Sequence, residues 1–325
     1  MTHPEVSVCV PTYRRPDRLE RLLSRLAALE VPEGAFEVVV VDDGSPDQQR
    51  VREVLESGRE LLASRGVVLR YELCPVNRGP AAARNVAWRM AKGRFIAFTD
   101  DDCMPERGWL VALLEACART PAAVVVGRTR PDPARAHLLS EPYARSLEVG
   151  DMTGYYHTCN ILYERALLEQ LGGFDEGFRL IGDDTDLGWR ASEAGAEVVF
   201  SDEALVTHDV VVGTWISDLK SRKRWADVVR VIAKHPRARC LAWKPYIYRH
   251  THVPVLFLAA ISPLVLSGRR GRMVFGALVV ALALADATRA GSPRRAIAKL
   301  GLRVADAYEV ALVISASSRE RVLVL

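Results

Sequence analysis

The sequence predicts an α/β fold: a mainly parallel sheet flanked by helices, followed by a helical, partly hydrophobic C-terminal module. Three observations carry this expectation. Short apolar runs recur through the first 210 residues, helix-patterned stretches separate them, and polar or acidic loops follow three of the runs. Continuous β-branched runs suit strands buried on both faces of a parallel sheet. Strand–helix alternation supplies the crossovers, and such sheets gather ligands outside the carboxyl ends of their strands.

Taken in order, residues 6–10 form the first strand, and Pro11-Thr12-Tyr13-Arg14-Arg15 follows it. Pro16 and Asp17 then open a helix, with Leu19, Leu22, Leu23, Leu26 and Leu29 at helical spacing. Residues 37–41 form the second strand, followed by Asp42-Asp43-Gly44-Ser45-Pro46-Asp47. A third strand at 67–71 leads to a helix over 79–91, and a fourth at 95–99 runs into Asp100-Asp101-Asp102. A helix over 106–119, a strand at 122–127, a helix starting near Asp184 and a strand at 197–201 complete a first domain, residues 1–212. Residues 213–325 form the second: a basic helical stretch at 214–234, two apolar runs and an amphipathic segment at 296–314.

Composition sets the outer bounds. With 49% hydrophobic and 26% charged residues, the 325-residue chain can bury a large core and is not globally disordered. A net charge of +4 is mild and argues against a dedicated nucleic-acid binder. The charge is unevenly spread: acidic residues concentrate in the middle, whereas Arg and Lys crowd the stretch from Lys220 to Arg303. Cys9, Cys74, Cys103, Cys117, Cys159 and Cys240 include no Cys-x-x-Cys pair, so they read as buried thiols in a reducing compartment. The chain enters its first strand without a long apolar leader, and the active part is expected to face the cytoplasm.

Three acidic clusters and one histidine carry the chemistry. Three adjacent carboxylates repel unless a cation sits among them, so Asp100-Asp101-Asp102 points to a hard metal, Mg²⁺ or Mn²⁺. Read as a solvated acidic turn, the triplet would equally suit the N-terminus of the helix that follows. Asp42-Asp43-Gly44-Ser45 reads first as a turn, and alternatively as carboxylates that accept hydrogen bonds from a base or ribose. In Gly182-Asp183-Asp184-Thr185-Asp186, helix capping accounts for one carboxylate and leaves others available as a general base. His208 is a metal ligand or a core histidine.

Together these segments resemble a family 2 glycosyltransferase of the GT-A fold. The resemblance runs in order through Val8-Cys9-Val10-Pro11-Thr12-Tyr13-Arg14-Arg15, Val40-Val41-Asp42-Asp43-Gly44-Ser45, Asn77-Arg78-Gly79-Pro80-Ala81-Ala82-Ala83-Arg84-Asn85 and the Asp triplet. Asn160, Gly172-Gly173-Phe174-Asp175-Glu176 and Asp183-Asp184-Thr185-Asp186-Leu187 resemble that family's acceptor-side segment. The resemblance implies an inverting transfer of a hexose or deoxyhexose from a nucleotide-diphosphate sugar to a hydroxyl of a glycan or lipid-linked glycan. It implies that Pro11, Thr12, Arg14 and Asp43 hold the nucleoside, with Arg84, Asp100 and Asp101 also on the donor side. It gives the metal to Asp102, with Asp100 and His208 as further ligands, and the role of base to Asp184. Asp183, Trp189, Arg190, Arg224 and Trp225 fall on the acceptor side.

Two departures matter. Asp183-Asp184 stands where many members have Glu-Asp. Ser221-Arg222-Lys223-Arg224-Trp225 keeps the Arg-Trp of the Gln-x-x-Arg-Trp motif of processive members but lacks its Gln, which argues against a polymerase. The same stretch also reads as a basic amphipathic surface helix. Two other readings stay open: a sugar-phosphate nucleotidyltransferase, although Pro11-Thr12-Tyr13 is no Gly-rich phosphate loop, and a non-catalytic membrane scaffold on the same fold.

The tail suggests a membrane surface. Residues 251–268 contain no Asp, Glu, Lys or Arg, nor do residues 273–285. The first run approaches the roughly 20 residues a spanning helix needs and the second falls short. Arg269, Arg270 and Arg272 between them would lie outside if both runs spanned, against the positive-inside tendency. Seating in the interface, or as a shallow hairpin, on the cytoplasmic face is the expectation; two core helices are the alternative. The sequence does not give the oligomeric state.

Overall fold

The first two strands are built from side chains that have no use for water: Val6–Thr12 (β1) and Phe36–Asp42 (β2) are buried along nearly their whole length. They belong to a computed structural model that describes residues 4–30, 36–120, 124–178, 180–244, 246–265, 273, 277–278, 280–281, 288 and 293–325. The chain divides into two units. One comprises Met1–His137 and Ser146–Val210; the other comprises Leu138–Arg145 and Val211–Leu325.

In the first unit, Pro16–Leu26 (α1) follows β1, and Gln48–Ala63 (α2) follows β2. Val68–Leu73 (β3), Pro80–Met90 (α3), Phe95–Phe98 (β4), Cys103–Pro105 (β5), Trp109–Arg119 (α4) and Val124–Pro131 (β6) come next. Ala144–Arg145 (β7) belongs to the second unit. Ile161–Glu164 (β8), Arg165–Leu171 (α5), Asp183–Glu193 (α6) and Val198–His208 (β9) complete the first.

One eight-stranded sheet runs in the order β3-β2-β1-β4-β8-β6-β9-β5. Strands β3, β2, β1 and β4 are parallel, as are β6 and β9. Strands β8 and β5 are antiparallel to their neighbours. Leu19, Leu22, Leu23 and Leu26 form one buried face of α1 and share a core with Val8, Val10, Val38 and Val40. Thr12 pairs with Asp42 at the carboxyl ends of β1 and β2, so the polar loops emerge side by side.

The α/β architecture matches the expectation, with differences in detail. Residues 122 and 123 of the predicted fifth strand lie outside the described residues. Between the Asp triplet and α4 stands β5, and α4 starts at Gly108 without a side-chain cap. The triplet therefore does not cap that helix.

The second unit pairs β7 antiparallel with Val211–Val212 (β10). Trp215–Ser221 (α7) opens on a reciprocal capping box between Thr214 and Ser217. The predicted helix over 214–234 is interrupted by a 3₁₀ turn at Arg222–Trp225 before Ala226–Lys234 (α8). Val253–Val265 (α9) and Pro293–Glu320 (α10) follow. Arg222 reaches from that turn to Asp306 (3.0 Å) and Glu309 (2.6 Å) of α10, and the fully buried His252 meets Glu309 at 3.2 Å. These ion pairs satisfy carboxylates that would otherwise be costly to bury. The end of the first apolar run, most of the second, and Arg269, Arg270 and Arg272 lie outside the described residues. Among the described residues, no helix is long and apolar enough to cross a membrane.

Gly44 marks where packing dictates sequence. Its φ is +74°, and a Cβ there would sit 2.5 Å from the Val76 carbonyl carbon. Gly44→Ala should lower stability by about 1–3 kcal/mol, the usual cost of a forced left-handed residue, measured by equilibrium urea unfolding. An unchanged midpoint would show that the loop relaxes freely.

Candidate active site

Carboxylates at the strand ends shape the loops around them. Asp42, fully buried, accepts from the Ser45 backbone N–H at 2.8 Å and from its hydroxyl. The Arg14 N–H in turn donates to Ser45 Oγ at 2.7 Å. This bond helps hold Arg14 at φ +59°, a conformation uncommon outside glycine. Asp43 accepts from the backbone N–H groups of Arg78 and Gly79, both at 2.8 Å, fixing the entry to α3. Burial raises its pKa, and those two N–H groups oppose the rise.

The triplet spreads its three side chains among different partners. Asp101, almost wholly buried, accepts from the Thr12 hydroxyl (2.8 Å) and from Arg15 (2.9 Å). Burial pushes its pKa up to about 6 against the pull of Arg15. Asp102 Oδ2 accepts from Arg15 (2.9 Å) and Arg18 (3.1 Å). Asp100 Oδ1 accepts from Arg84 Nη2 at 2.9 Å. The other Arg84 nitrogen, Nη1, donates to Asp183 Oδ2 at 2.9 Å. A buried guanidinium thus links the end of β4 to the start of α6.

These loops enclose an open cavity of about 560 Å³. Pro11, Thr12, Arg14, Asp43, Arg84, Asp100, Asp101, Asp102 and His208 all line it. The structure therefore brings together every residue assigned to the donor and the metal. Within that group Asp100 turns to Arg84. Among the described residues, Asp102, Cys103 and His208 are the ones whose ligand atoms all lie within 4.8 Å of one another.

The chemistry of that cluster fits a divalent cation. His208 Nδ1 lies 2.8 Å from the Asp209 carbonyl, which can only accept, so Nδ1 carries the proton. The other ring nitrogen, Nε2, faces Asp102 Oδ1 at 3.7 Å. A carboxylate oxygen and an imidazole nitrogen at that separation are a ligand pair that suits Mn²⁺ or Mg²⁺. Cys103 contributes little: a hydrogen bond to Cys159 and burial raise its thiol well above the ordinary range.

On the acceptor side, Asp183 is nearly inaccessible whereas the Asp184 side chain keeps 20% exposure. Burial pushes Asp183 up to about 6 against the pull of Arg84. Asp184 is raised by burial too, and accepts from the Thr185 backbone N–H at 2.7 Å. Trp189 packs edge-on to Tyr156, and Arg190 ties α6 to the carbonyls of Leu171 (2.9 Å) and Gly173 (2.7 Å). Arg224 and Trp225 belong to the second unit, where the Arg249 guanidinium lies 4.2 Å from the Trp225 ring centroid.

Sequence reasoning missed Arg15, Arg18 and His157. His157 Nδ1 lies 4.0 Å from Asp184 Oδ2, and its ring stacks on Tyr155. Burial lowers its pKa to about 4, so it is neutral near pH 7. Arg15, in the loop after β1, and Arg18, in the first turn of α1, stood in the sequence as basic residues without a stated partner; a lone histidine in an irregular segment gave no signal.

With this geometry in view, the comparisons with known proteins are specific. Residues 7–172 match the family model described as glycosyl transferase family 2, and residues 131–286 match glycosyl transferase family group 2. The chain belongs to glycosyl transferase family 2. It is 36% identical over 229 residues to the succinoglycan biosynthesis protein ExoM of Rhizobium meliloti, covering 64% of this chain and 67% of ExoM. It is 32% identical over 225 residues to the pre-mycofactocin glycosyltransferase of Mycobacterium tuberculosis, covering 64% of this chain but only 43% of that protein. Among solved structures, the mannosyltransferase PcManGT of Pyrobaculum calidifontis, in complex with GDP-Man and Mn²⁺, aligns over 97% of this chain and 87% of its own. Its TM-score is 0.64 at 23% identity, a likeness of fold. TarS 1-349 of S. aureus in complex with UDP-GlcNAc aligns with a TM-score of 0.53 at 19% identity over 98% of this chain and 92% of its own. The fold, a mostly parallel sheet flanked by helices, is of the GT-A kind.

Arg84→Met would leave Asp183 buried without its cation, at an expected cost of about 3–5 kcal/mol. Arg84→Met with Asp183→Asn should cost clearly less than the sum of the single changes, by denaturant unfolding. Strict additivity would mean that the two residues do not act as a pair.

Proposed function

We propose that the protein is a metal-dependent, inverting glycosyltransferase. It would move a hexose or deoxyhexose from a nucleotide-diphosphate sugar to a hydroxyl of a glycan or lipid-linked glycan, working on the cytoplasmic face of the membrane. The observation that carries the proposal is the pair Asp102 Oδ1 and His208 Nε2, a carboxylate oxygen and an imidazole nitrogen 3.7 Å apart in the wall of a nucleotide-sized cavity. Arg84 joins that wall to the segment bearing Asp184.

Pro11, Thr12, Arg14 and Asp43 line the part of the site assigned to the nucleoside. Asp102 and His208 would hold Mg²⁺ or Mn²⁺, and the bound ion would supply positive charge for the departing diphosphate. Asp184 takes the proton of the acceptor hydroxyl as that oxygen bonds to the anomeric carbon; the bond to the diphosphate breaks on the opposite face, inverting the centre. An oxygen within hydrogen-bond reach of both Asp184 and His157 fits their 4.0 Å separation, so His157 positions the hydroxyl. The GDP-Man and Mn²⁺ of the archaeal mannosyltransferase and the UDP-GlcNAc of TarS support such a donor and make Mn²⁺ the first ion to try.

The test is release of nucleoside diphosphate from a panel of nucleotide sugars, with binding followed by thermal shift with and without Mn²⁺. If no nucleotide sugar binds or is turned over, the proposal fails. Asp102→Asn should lose metal-dependent donor binding while keeping its fold; near-normal turnover at low metal would remove Asp102 from the site.

Asp184→Asn should keep donor binding while kcat falls by roughly 10²–10⁴-fold. A base must be ionised to act, and burial raises Asp184 above the ordinary 3.8. The wild-type rate should therefore fall on acidification through a value above 3.8, and Asp184→Asn should remove that limb of the profile. If Asp183→Asn alone produced this signature, the base would be Asp183.

A further inference from the structure

The second unit carries a surface whose chemistry is one-sided. From residue 228 to residue 285 the sequence contains no Asp or Glu, against nine Lys and Arg: Arg230, Lys234, Arg237, Arg239, Lys244, Arg249, Arg269, Arg270 and Arg272. One of these cations, Arg249, pairs with Glu309 at 3.3 Å. Glu309 is fully buried and Asp306 nearly so, both held by Arg222.

Within the stretch, Trp243 and Tyr246 sit on one tight turn. The Trp243 N–H donates to the Tyr248 carbonyl at 3.0 Å, and Lys244 and Ile247 exchange backbone hydrogen bonds of 3.1 Å. Both rings face outward, 50% and 54% exposed, which is unusual for side chains of that apolar area. Each has a cation beside it: Lys244 Nζ lies 5.3 Å from the Trp243 ring, and the Arg239 guanidinium 5.4 Å from the Tyr246 ring. His250 touches the Trp243 ring and begins the short turn that leads into α9. That 13-residue helix has no charged residue. Among its side chains described, residues 253–262, none is buried, and Phe257 is 56% exposed.

We propose that Trp243, Lys244 and Tyr246, with the exposed side of α9, form the contact with an anionic lipid bilayer interface. Indole and phenol rings settle at headgroup level, Lys and Arg answer anionic lipid charge, and an uncharged helix beside them enters the acyl boundary. The inference rests on the membrane seating proposed above and assigns it to the turn at Trp243, Lys244 and Tyr246 together with the start of the first apolar run. A second copy of the chain would bring the same cations against one another, and a nucleic acid would leave the apolar helix unused.

Sedimentation of the full chain with phosphatidylcholine–phosphatidylglycerol vesicles, and with phosphatidylcholine vesicles alone, decides it. The wild type should bind the anionic vesicles, more weakly at high salt, and the neutral ones poorly. Lys244→Glu should weaken anionic binding by about tenfold or more, since two units of charge change at the surface. Trp243→Ala with Tyr246→Ala should weaken it about tenfold at any salt, with the melting transition and nucleoside-diphosphate release retained; Phe257→Ser replaces this pair if it fails to fold. A wild type that ignores vesicles overturns both the patch and the membrane seating. Equal binding by wild type and variants overturns the patch alone, as do equal binding to neutral vesicles, self-association lost in the variants without vesicle binding, and displacement from vesicles by duplex DNA. None of these results bears on release of nucleoside diphosphate, which tests the transfer reading separately.

Discussion

The buried Arg84 guanidinium is the constraint on which the site depends. It donates 2.9 Å hydrogen bonds to Asp100 at the end of β4 and to Asp183 at the start of α6, so two distant parts of the chain share one cation. Desolvating three charged groups is costly, and the cost is offset only if the geometry is kept. The site wall and the helix bearing Asp184 are therefore held in one arrangement rather than hinged by loops. The same arrangement explains how neighbouring carboxylates can differ in function: Asp183 is spent on the bridge, while Asp184 keeps an exposed edge.

Acidic clusters in this chain organise the backbone before they can do chemistry. Asp42 shapes its own turn, Asp43 fixes the start of α3, and Asp101 orders Thr12 and Arg15. Mutual repulsion in the Asp triplet is relieved by Arg15, Arg18 and Arg84, so repulsion alone does not require a metal. The case for a cation rests instead on one carboxylate oxygen and one imidazole nitrogen facing each other across 3.7 Å in the cavity wall. That pairing is invisible to charge counting and depends on the ring orientation that the Asp209 carbonyl gives His208.

Much of the fold was legible because burial writes itself into sequence. The continuous β-branched runs at β1 and β2 suit strands buried on both faces, and the leucine spacing of α1 suits a helix. The short strands escaped. β5 is Cys-Met-Pro beside an acidic loop, and β8 is four residues whose pairing is set by sequence-distant neighbours. The candidate site was legible as motifs, since the donor and metal residues follow strands whose carboxyl ends share an edge. Its internal wiring was not. That Arg15 and Arg18 serve Asp102, or that His157 stands beside Asp184, follows from tertiary proximity that no spacing encodes.

The central claim is that leaving group and base act from opposite faces of one sugar in a single displacement. The stereochemistry of the product tests it most directly. Proton NMR of the first-formed glycoside, from an α-linked nucleotide sugar, should show only the β anomer. A product that retains the α configuration would contradict the account, because Asp184 could not then be the base of a single displacement.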